Sequence, residues 1–451
     1  MLRNCLLLPA LLSLLVVACD DGAAPDDAAA PPADAAAPVD GGSTDDAGMT
    51  PEDASTSSVC EGVDCGPVGR CVEGEAPSCA CDAGYHADGL SCVLDGCPGP
   101  ECPRAVSEWE TLWQAEWDRR DREYCTELST STGADQEHYF LSYCIDGLVS
   151  MWRATADDAY LDLVFGLIDN TLEDAVAGDD GFRHWPGPPE NGGESYPLWE
   201  SYYWRHVVTL VRVLHDNPEV RARSDYQARY EALLAFSERD VWEKWHSRGL
   251  GNLYRSRTHM ASHWARIGME LYRITGEAQY LEVFENISHG EMPGRPSNLR
   301  MQLYPNPSTP SAYTWASHWG VPEGDEVQDT SHAGAIVSFW EEAVEAGMYW
   351  TVDDRAALTS TLMDVMWFED GSYARFVDGT SGSDGPYPAP DGRCGACGRL
   401  HEWLVLGRHD RAVQAKIETG YGGGNHRYFG TQAIGISALN ARWLLAGGPA
   451  Y

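Results

Sequence analysis

Between residues 252 and 332 the chain gathers side chains that can move protons and hold anions. His259 and His263 are four residues apart, so a helix would carry both imidazoles on a single face. Just before them, Tyr254-Arg255-Ser256-Arg257-Thr258 supplies two guanidinium groups and a threonine suited to cap that helix. A proline-rich stretch from 293 to 322 holds Arg300, Tyr304, Tyr313, Trp315 and His318, and Asp329-Thr330-Ser331-His332 opens the next apolar run. A long loop with its own aromatic and ionisable groups usually has a function.

Three chemistries suit this set. β-Elimination on a uronate polymer needs a base for the C5 proton, an acid for the departing O4, and a partner that neutralises the carboxylate. Tyr313, His259, His263 and His332 suit the proton transfers, and Arg257 and Arg300 suit the carboxylate. Inverting hydrolysis instead needs two carboxylates about 6.5–9.5 Å apart with room for a water. Glu194, Glu200, Glu326 and Asp329 are available for that near expected helix starts. Zinc at His259 and His263, completed by His332 or Asp329, is the third reading. Without an HExxH pattern it is the lesser one, and no cofactor is expected. Each residue also has a plain structural role open to it. A histidine at a helix start can bond a carbonyl, Asp329 and Ser331 can cap, and Tyr313 and Trp315 can pack their own loop rather than stack on a sugar.

Two further segments could line the same cleft. Trp199-Glu200-Ser201-Tyr202-Tyr203-Trp204-Arg205-His206 follows a Gly/Pro loop, and from it Glu200, Trp204 and Arg205 join Trp315 as candidate substrate contacts. The run Gly420 to Gly424 leads into Asn425-His426-Arg427; it lacks the Gly-Lys-Ser/Thr of a phosphate loop, so Asn425 and Arg427 are candidates for a substrate rim. Cys394-Gly395-Ala396-Cys397 has no strand before it, so a local disulfide is expected rather than a redox centre.

The elements that must position these groups are helices. Apolar periodicity predicts them at 107–124, 136–154, 159–176, 198–215, 226–245, 259–274, 280–288, 331–347, 353–367, 400–406, 410–418 and 431–445. An internal echo supports pairing. Thr155 to Phe165 (TADDAYLDLVF) resembles Thr275 to Phe284 (TGEAQYLEVF), 120 residues on, which spans three two-helix units of ~40 residues. Six pairs point to a mainly α fold, an α/α toroid over 105–451 closed around a central cleft, with an open solenoid as its competitor.

The first nineteen residues and the cysteine usage lead to an expected location outside the cytoplasm, and the charge excludes one class of partner. Of 451 residues 69 are acidic and 31 basic, a net charge of −38, so no basic footprint for nucleic acid exists. Only Lys244 and Lys416 are lysines; the other bases are arginines, suited to bidentate carboxylate contact. Arg3, the apolar run Leu6 to Val17 and Val16-Val17-Ala18-Cys19 resemble a bacterial lipoprotein signal. That resemblance implies removal of residues 1–18 and lipidation of Cys19, giving an exported protein anchored to a membrane and exposed to the periplasm or cell surface. Residues 19–58, rich in Ala, Asp and Pro with no Lys or Arg, read as an extended acidic tether. Excluding Cys5 and Cys19 leaves an even twelve of the 14 cysteines, as expected in an oxidising compartment.

The spacing Cys60-x4-Cys65-x5-Cys71-x7-Cys79-x-Cys81-x10-Cys92, with Gly84-Tyr85, resembles an EGF-like module at 59–93. The resemblance implies bridges Cys60–Cys71, Cys65–Cys79 and Cys81–Cys92 and a protein or glycan partner; spacing alone leaves 15 connectivities. With Ser55 to Val59 lacking acidic groups, calcium is not expected. Cys97 and Cys102 should close a small loop within the 94–104 linker, and Cys125 and Cys144 should staple the first two helices.

In its paired helices, Tyr-bearing loop and helix-start histidines, the large domain resembles the α/α-toroid polysaccharide lyases that act on alginate and glucuronan. The resemblance implies Tyr313 as a proton-transfer residue, His259, His263 or His332 as its partner, and Arg257 or Arg300 on the substrate carboxylate. An inverting hydrolase of a neutral glycan and a non-catalytic glycan-binding lipoprotein are the alternatives.

Overall fold

The structure is a computed structural model. It divides the chain into two units, Met1–Thr56 and Ser57–Tyr451. The described residues, all in the second unit, are 60, 63, 65, 69–72, 74, 76–81, 85–88, 90–94, 102–130, 135–189, 192–368, 373–380, 400–421 and 430–451. The signal segment with Cys19, the tether, Asn425, Arg427, Cys97, Cys394 and Cys397 lie outside them.

The cysteine-rich segment forms two hairpins: β1 (Gly69–Val72) with β2 (Ser78–Cys81), and β3 (Tyr85–Asp88) with β4 (Ser91–Leu94). So few residues cannot bury a core, and disulfides hold them instead. Cys60–Cys71 and Cys65–Cys79 are formed as expected. Cys81 and Cys102 are also disulfide-bonded. The expected partner of Cys81, Cys92, has no described side chain.

Helices follow without a large sheet. In chain order they are α1 (Val106–Glu116), α2 (Arg122–Ser129), α3 (Asp135–Thr155) and α4 (Asp158–Asp174). A hairpin of β5 (Val176–Ala177) and β6 (Arg183–His184) leads to α5 (Pro197–Asp216), α6 (Pro218–Arg221), α7 (Tyr226–Phe236), α8 (Lys244–Ser247), α9 (Thr258–Thr275) and α10 (Ala278–Ser288). After β7 (Tyr304–Pro305) and β8 (Tyr313–Thr314) come α11 (Thr330–Glu345), α12 (Val352–Ser360), a 3-10 segment (His401–Arg408), α13 (Arg411–Tyr421) and α14 (Gly430–Ala446). The Cys125–Cys144 disulfide ties α2 to α3, as expected.

Packing shows that the ring closes. α3 packs on α5, α5 on α9, α9 on α11, α11 on the 3-10 segment, that segment on α14, and α14 back on α3. Each inner element has an outer companion: α2 on α3, α7 on α5, α10 on α9, α12 on α11, α13 on the 3-10 segment, with α4 against α3 and α1 against α14. This is an α/α toroid; the open solenoid is excluded by the α14–α3 contact. Closure needs close approach of those two helices. Gly147 and Gly435 face each other there, and a Cβ on either would collide with the opposite backbone.

The fifth inner element departs from the expected α-helix. A 3-10 helix rises about 2.0 Å per residue, so eight residues span roughly 16 Å, enough to cross the ring where the sequence offers only a short apolar run. A tryptophan on each of five inner elements (Trp152, Trp204, Trp264, Trp340 and Trp403) is almost wholly buried in the layer where the two rings meet. Each removes on the order of 200 Å² from water, which fixes the spacing of the rings.

Candidate active site

Because outer and inner elements alternate, all six inner elements run in the same direction. Their first turns therefore share one end of the ring, and the chemistry gathers there. α9 brings His259 and His263, whose ring centroids are 6.3 Å apart. α11 brings His332, with its ring centroid 4.3 Å from that of His259. The three histidines, 73 residues apart at the extremes, thus converge as the cleft reading requires.

Asp329 is the N-cap of α11 and does two jobs. One carboxylate oxygen accepts the His332 backbone N–H at 3.1 Å, and the other faces His332 Nδ1 at 2.7 Å. Burial alone would raise this carboxyl, but the His332 hydrogen bond and the imidazole charges hold it well below the usual range. A carboxylate only accepts, so Nδ1 carries a proton, and in the neutral imidazole the lone pair is on Nε2. His332 keeps 32% of its side chain exposed, while His259 and His263 form the buried floor. Burial, reinforced by His332 and His263, drives His259 well below the ordinary histidine value; burial and then Arg205 do the same to His263. Both are neutral imidazoles at neutral pH. Arg257 flanks α9 and its charge acts on His259.

Facing these groups is a tyrosine stack that sequence reasoning missed. Tyr139 of α3 lies on Tyr202 of α5 with centroids 4.0 Å apart and planes 16° apart. The Tyr202 hydroxyl donates to that of Tyr143 at 3.2 Å, and the Tyr202 ring meets His263 edge-on at 5.0 Å. Arg205 lies 4.0 Å beneath the Tyr202 ring and forks onto Glu402. Burial raises all three phenols, so they stay protonated. Tyr139, half-buried, is the member that reaches the cleft. A usable signal existed: Tyr139 and Tyr143 repeat, at the start of an inner helix, the four-residue spacing of His259 and His263.

Several expected substrate residues are placed elsewhere. Tyr313 pairs through β8 with β7 and packs on the outer helix α12, where its hydroxyl donates to Asp354 at 3.0 Å. Arg300 forks onto the same carboxylate at 2.6 and 2.8 Å. This corrects the assignment of Tyr313 and Arg300 to the histidine cluster: Asp354 claims both, because a buried aspartate at a helix start needs donors. Trp315 is 1% exposed between Trp340 and Trp403, and Trp204 stacks on Phe236 within the core, so neither is a sugar platform. Glu200 is fully buried and held by Lys244 and Trp245, and Arg205 is fully buried and held by Glu402. The large, apolar and ion-paired groups went to the seam between rings, where dispersion and pairing favour them.

The hydrolytic and metal readings meet similar geometry. Glu326 pairs with His318, Glu200 is sealed, and Asp329 is committed to His332. Among the described residues, the trios of ligating atoms within 4.8 Å of one another are Asp146–His206–Glu402 and Glu341–Glu345–His409. His259 and His263 belong to neither. In the first trio Glu402 is already forked by Arg205, and in the second Glu341 is forked by Arg355.

No protein-family model matches the chain, and no curated protein matches it. Among solved structures, the α-1,6-mannanase GH76A of Salegentibacter sp. HEL1_6 is 12% identical at a TM-score of 0.44, over 75% of this chain and 99% of that chain. An inactive variant of that mannanase is 13% identical at 0.45, over 75% and 98%. A polysaccharide lyase is 13% identical at 0.45, over 75% of this chain and 97% of that chain.

Proposed function

We propose that this chain is a glycan-degrading enzyme, and specifically a polysaccharide lyase that cleaves a uronate-containing polymer by β-elimination. One observation carries the reading: an oriented imidazole, His332 held by Asp329 beside the neutral His259, and a protonated phenol, Tyr139, stand near the starts of inner elements that share one end of the ring. His332 Nε2 takes the C5 proton, electrons pass into the C4–C5 bond, C4–O4 breaks, and Tyr139 gives its proton to the departing O4. Arg257 and the neutral His259 bind the substrate carboxylate and hold the charge that develops on it. Hydrolysis by inversion would need two uncommitted carboxylates; of the acids weighed for it Glu200 is sealed, Glu326 and Asp329 are paired, and Glu194 is exposed.

The lipoprotein-like start and acidic tether accord with an enzyme anchored outside the cytoplasm, its EGF-like segment meeting a protein or glycan partner. Among the described residues no helix is long and apolar enough to cross a membrane. The test incubates purified protein with alginate, glucuronan, pectin and neutral glycans. Elimination gives product ends with the ultraviolet absorbance of an unsaturated uronate. New reducing ends without that absorbance would replace the proposal with hydrolysis, and binding without either product would replace it with a glycan-binding role.

A further inference from the structure

We infer that the axis of the ring holds a binding site for one small monovalent anion of the halide class, distinct from the candidate active site. A small cavity lies among the inner elements, lined by the guanidiniums of Arg153, Arg266 and Arg408 and the hydroxyls of Thr209 and Ser338. All five residues are buried. A buried cation is costly unless an opposite charge or full hydrogen bonding compensates it.

The carboxylates that share the lining are already committed. Glu342 serves Arg408 at 3.0 Å, Arg153 at 3.5 Å and Arg212 at 3.6 Å. Although burial would raise it, these arginines keep it ionised. Asp146 faces His206 at 3.3 Å and accepts from Gln432 at 2.7 Å. Arg266 is left with neutral partners. Its Nε and one terminal nitrogen reach the Thr209 hydroxyl at 3.2 and 3.1 Å, and the other reaches Ser338 at 3.3 Å. Among the described residues no carboxylate lies within 4.0 Å of it.

These three bonds leave two of the five Arg266 guanidinium N–H donors without an acceptor among the described residues. Arg408 has a second carboxylate in Glu345 at 3.1 Å, so Arg266 is the guanidinium of the lining without one, and it borders a space with room for one small occupant. A monatomic anion fits both conditions; sulfate, phosphate and a substrate carboxylate are too large. Chloride is the member of that class abundant outside cells.

The test follows thermal unfolding of the full protein in sodium chloride and in sodium gluconate at equal ionic strength. A ligand that binds only the folded state raises the midpoint saturably, here by about 2–4 °C with half the effect below about 50 mM. Crystals soaked in bromide should show an anomalous peak within hydrogen-bonding distance of Arg266. Arg266→Gln should remove both effects while retaining a cooperative transition in gluconate. Equal midpoints in the two salts, a half-effect near molar concentration, or a cavity without bromide would each overturn the inference. If Arg266→Gln fails to fold, the bromide map of the unaltered protein decides. None of these readouts depends on glycan cleavage.

Discussion

Two tyrosines show how this ring separates chemistry from support. Tyr139 stands near the start of an inner helix, stacked on Tyr202 and opening to the cleft. Tyr313 lies against an outer helix, its hydroxyl fixed on an aspartate that Arg300 also holds. As phenols they are the same acid; what differs is the helix end each one reaches. Residues near the start of an inner element share one end of the ring with those of five other elements, whereas a residue on the outer layer lies away from that end.

The sharpest way to break this comparison is to remove each hydroxyl in turn. Tyr139→Phe keeps the ring stack and removes the proton donor, so kcat should fall by about 10³-fold, within the range for lost general acid catalysis, with little change in substrate binding. Tyr313→Phe should leave kcat within about twofold, because no reacting group depends on it. The reverse ranking in steady-state rates would return the catalytic role to the loop and dissolve the distinction.

Asp329→Asn comes next. The amide can still cap α11, but it no longer enforces a proton on His332 Nδ1, so the tautomer with a free Nε2 loses its support. A drop in kcat of about 10²-fold is expected, smaller than for the donor itself, because the imidazole remains in place. Unchanged kcat and an unchanged pH profile would show that His332 is not the base.

Legibility in the sequence divides along the same line. Helical periodicity and the 120-residue echo were enough to reach six pairs and a ring, because amphipathic spacing is a local property. His259, His263 and His332 were legible because helix-start positions in alternating pairs must share an end. Trp204, Trp315 and Arg205 misled for a physical reason: aromatic and guanidinium groups suit a sugar cleft and a seam between helix layers equally well, and only burial separates the two uses. Tyr139 escaped because its partner Tyr202 lies 63 residues away, and stacking leaves no trace in spacing. The charged interior of the ring was equally hidden, since Arg205 finds Glu402 almost 200 residues later.

Ring closure itself can be stressed at the α3–α14 contact. Gly435→Ala inserts a methyl against the backbone at Gly147, and overpacking of this kind costs about 1–3 kcal/mol. Urea unfolding should show that loss, and because both helices carry first-turn residues toward the cleft, kcat should fall with it. A neutral outcome would mean the helices can part without consequence, which would weaken the argument that inner elements set the site.

Two aspartates at helix starts extend the contrast to pH. Asp135 on inner helix α3 is sealed, and burial pushes its carboxyl up to about 8; the Tyr196 N–H that it accepts only partly opposes this. Its folded-state value is above the unfolded one, so its contribution is fully present below about pH 4 and fades as pH rises toward 8, with a slope of about 1 kcal/mol per pH unit. Asp354 on outer helix α12 is the opposite case. Burial would raise it, but the Arg300 hydrogen bonds bring it to about 2, so its contribution is present above the unfolded value and lost only in strong acid. Asp135→Asn should therefore flatten the decline in stability between pH 5 and 7, by about 2 kcal/mol over that interval. Parallel curves for the variant and the unaltered protein would mean that Asp135 is solvated.

The smallest effect belongs to Tyr313 as a structural residue. Removing its hydroxyl deletes one bond to Asp354 at 3.0 Å but leaves that carboxylate two Arg300 bonds and the Thr351 backbone N–H at 2.9 Å. The aspartate is thus not orphaned, and the cost should be that of a single net hydrogen bond, about 1 kcal/mol, rather than that of a stranded buried charge. Arg300→Met would leave Asp354 without its charge partner and should cost more than Tyr313→Phe in the same urea titration. If the two variants were instead equally destabilised, the hydroxyl would be holding the carboxylate as strongly as the guanidinium does. The Tyr313 cluster would then be a more exacting piece of the outer layer than its single bond implies.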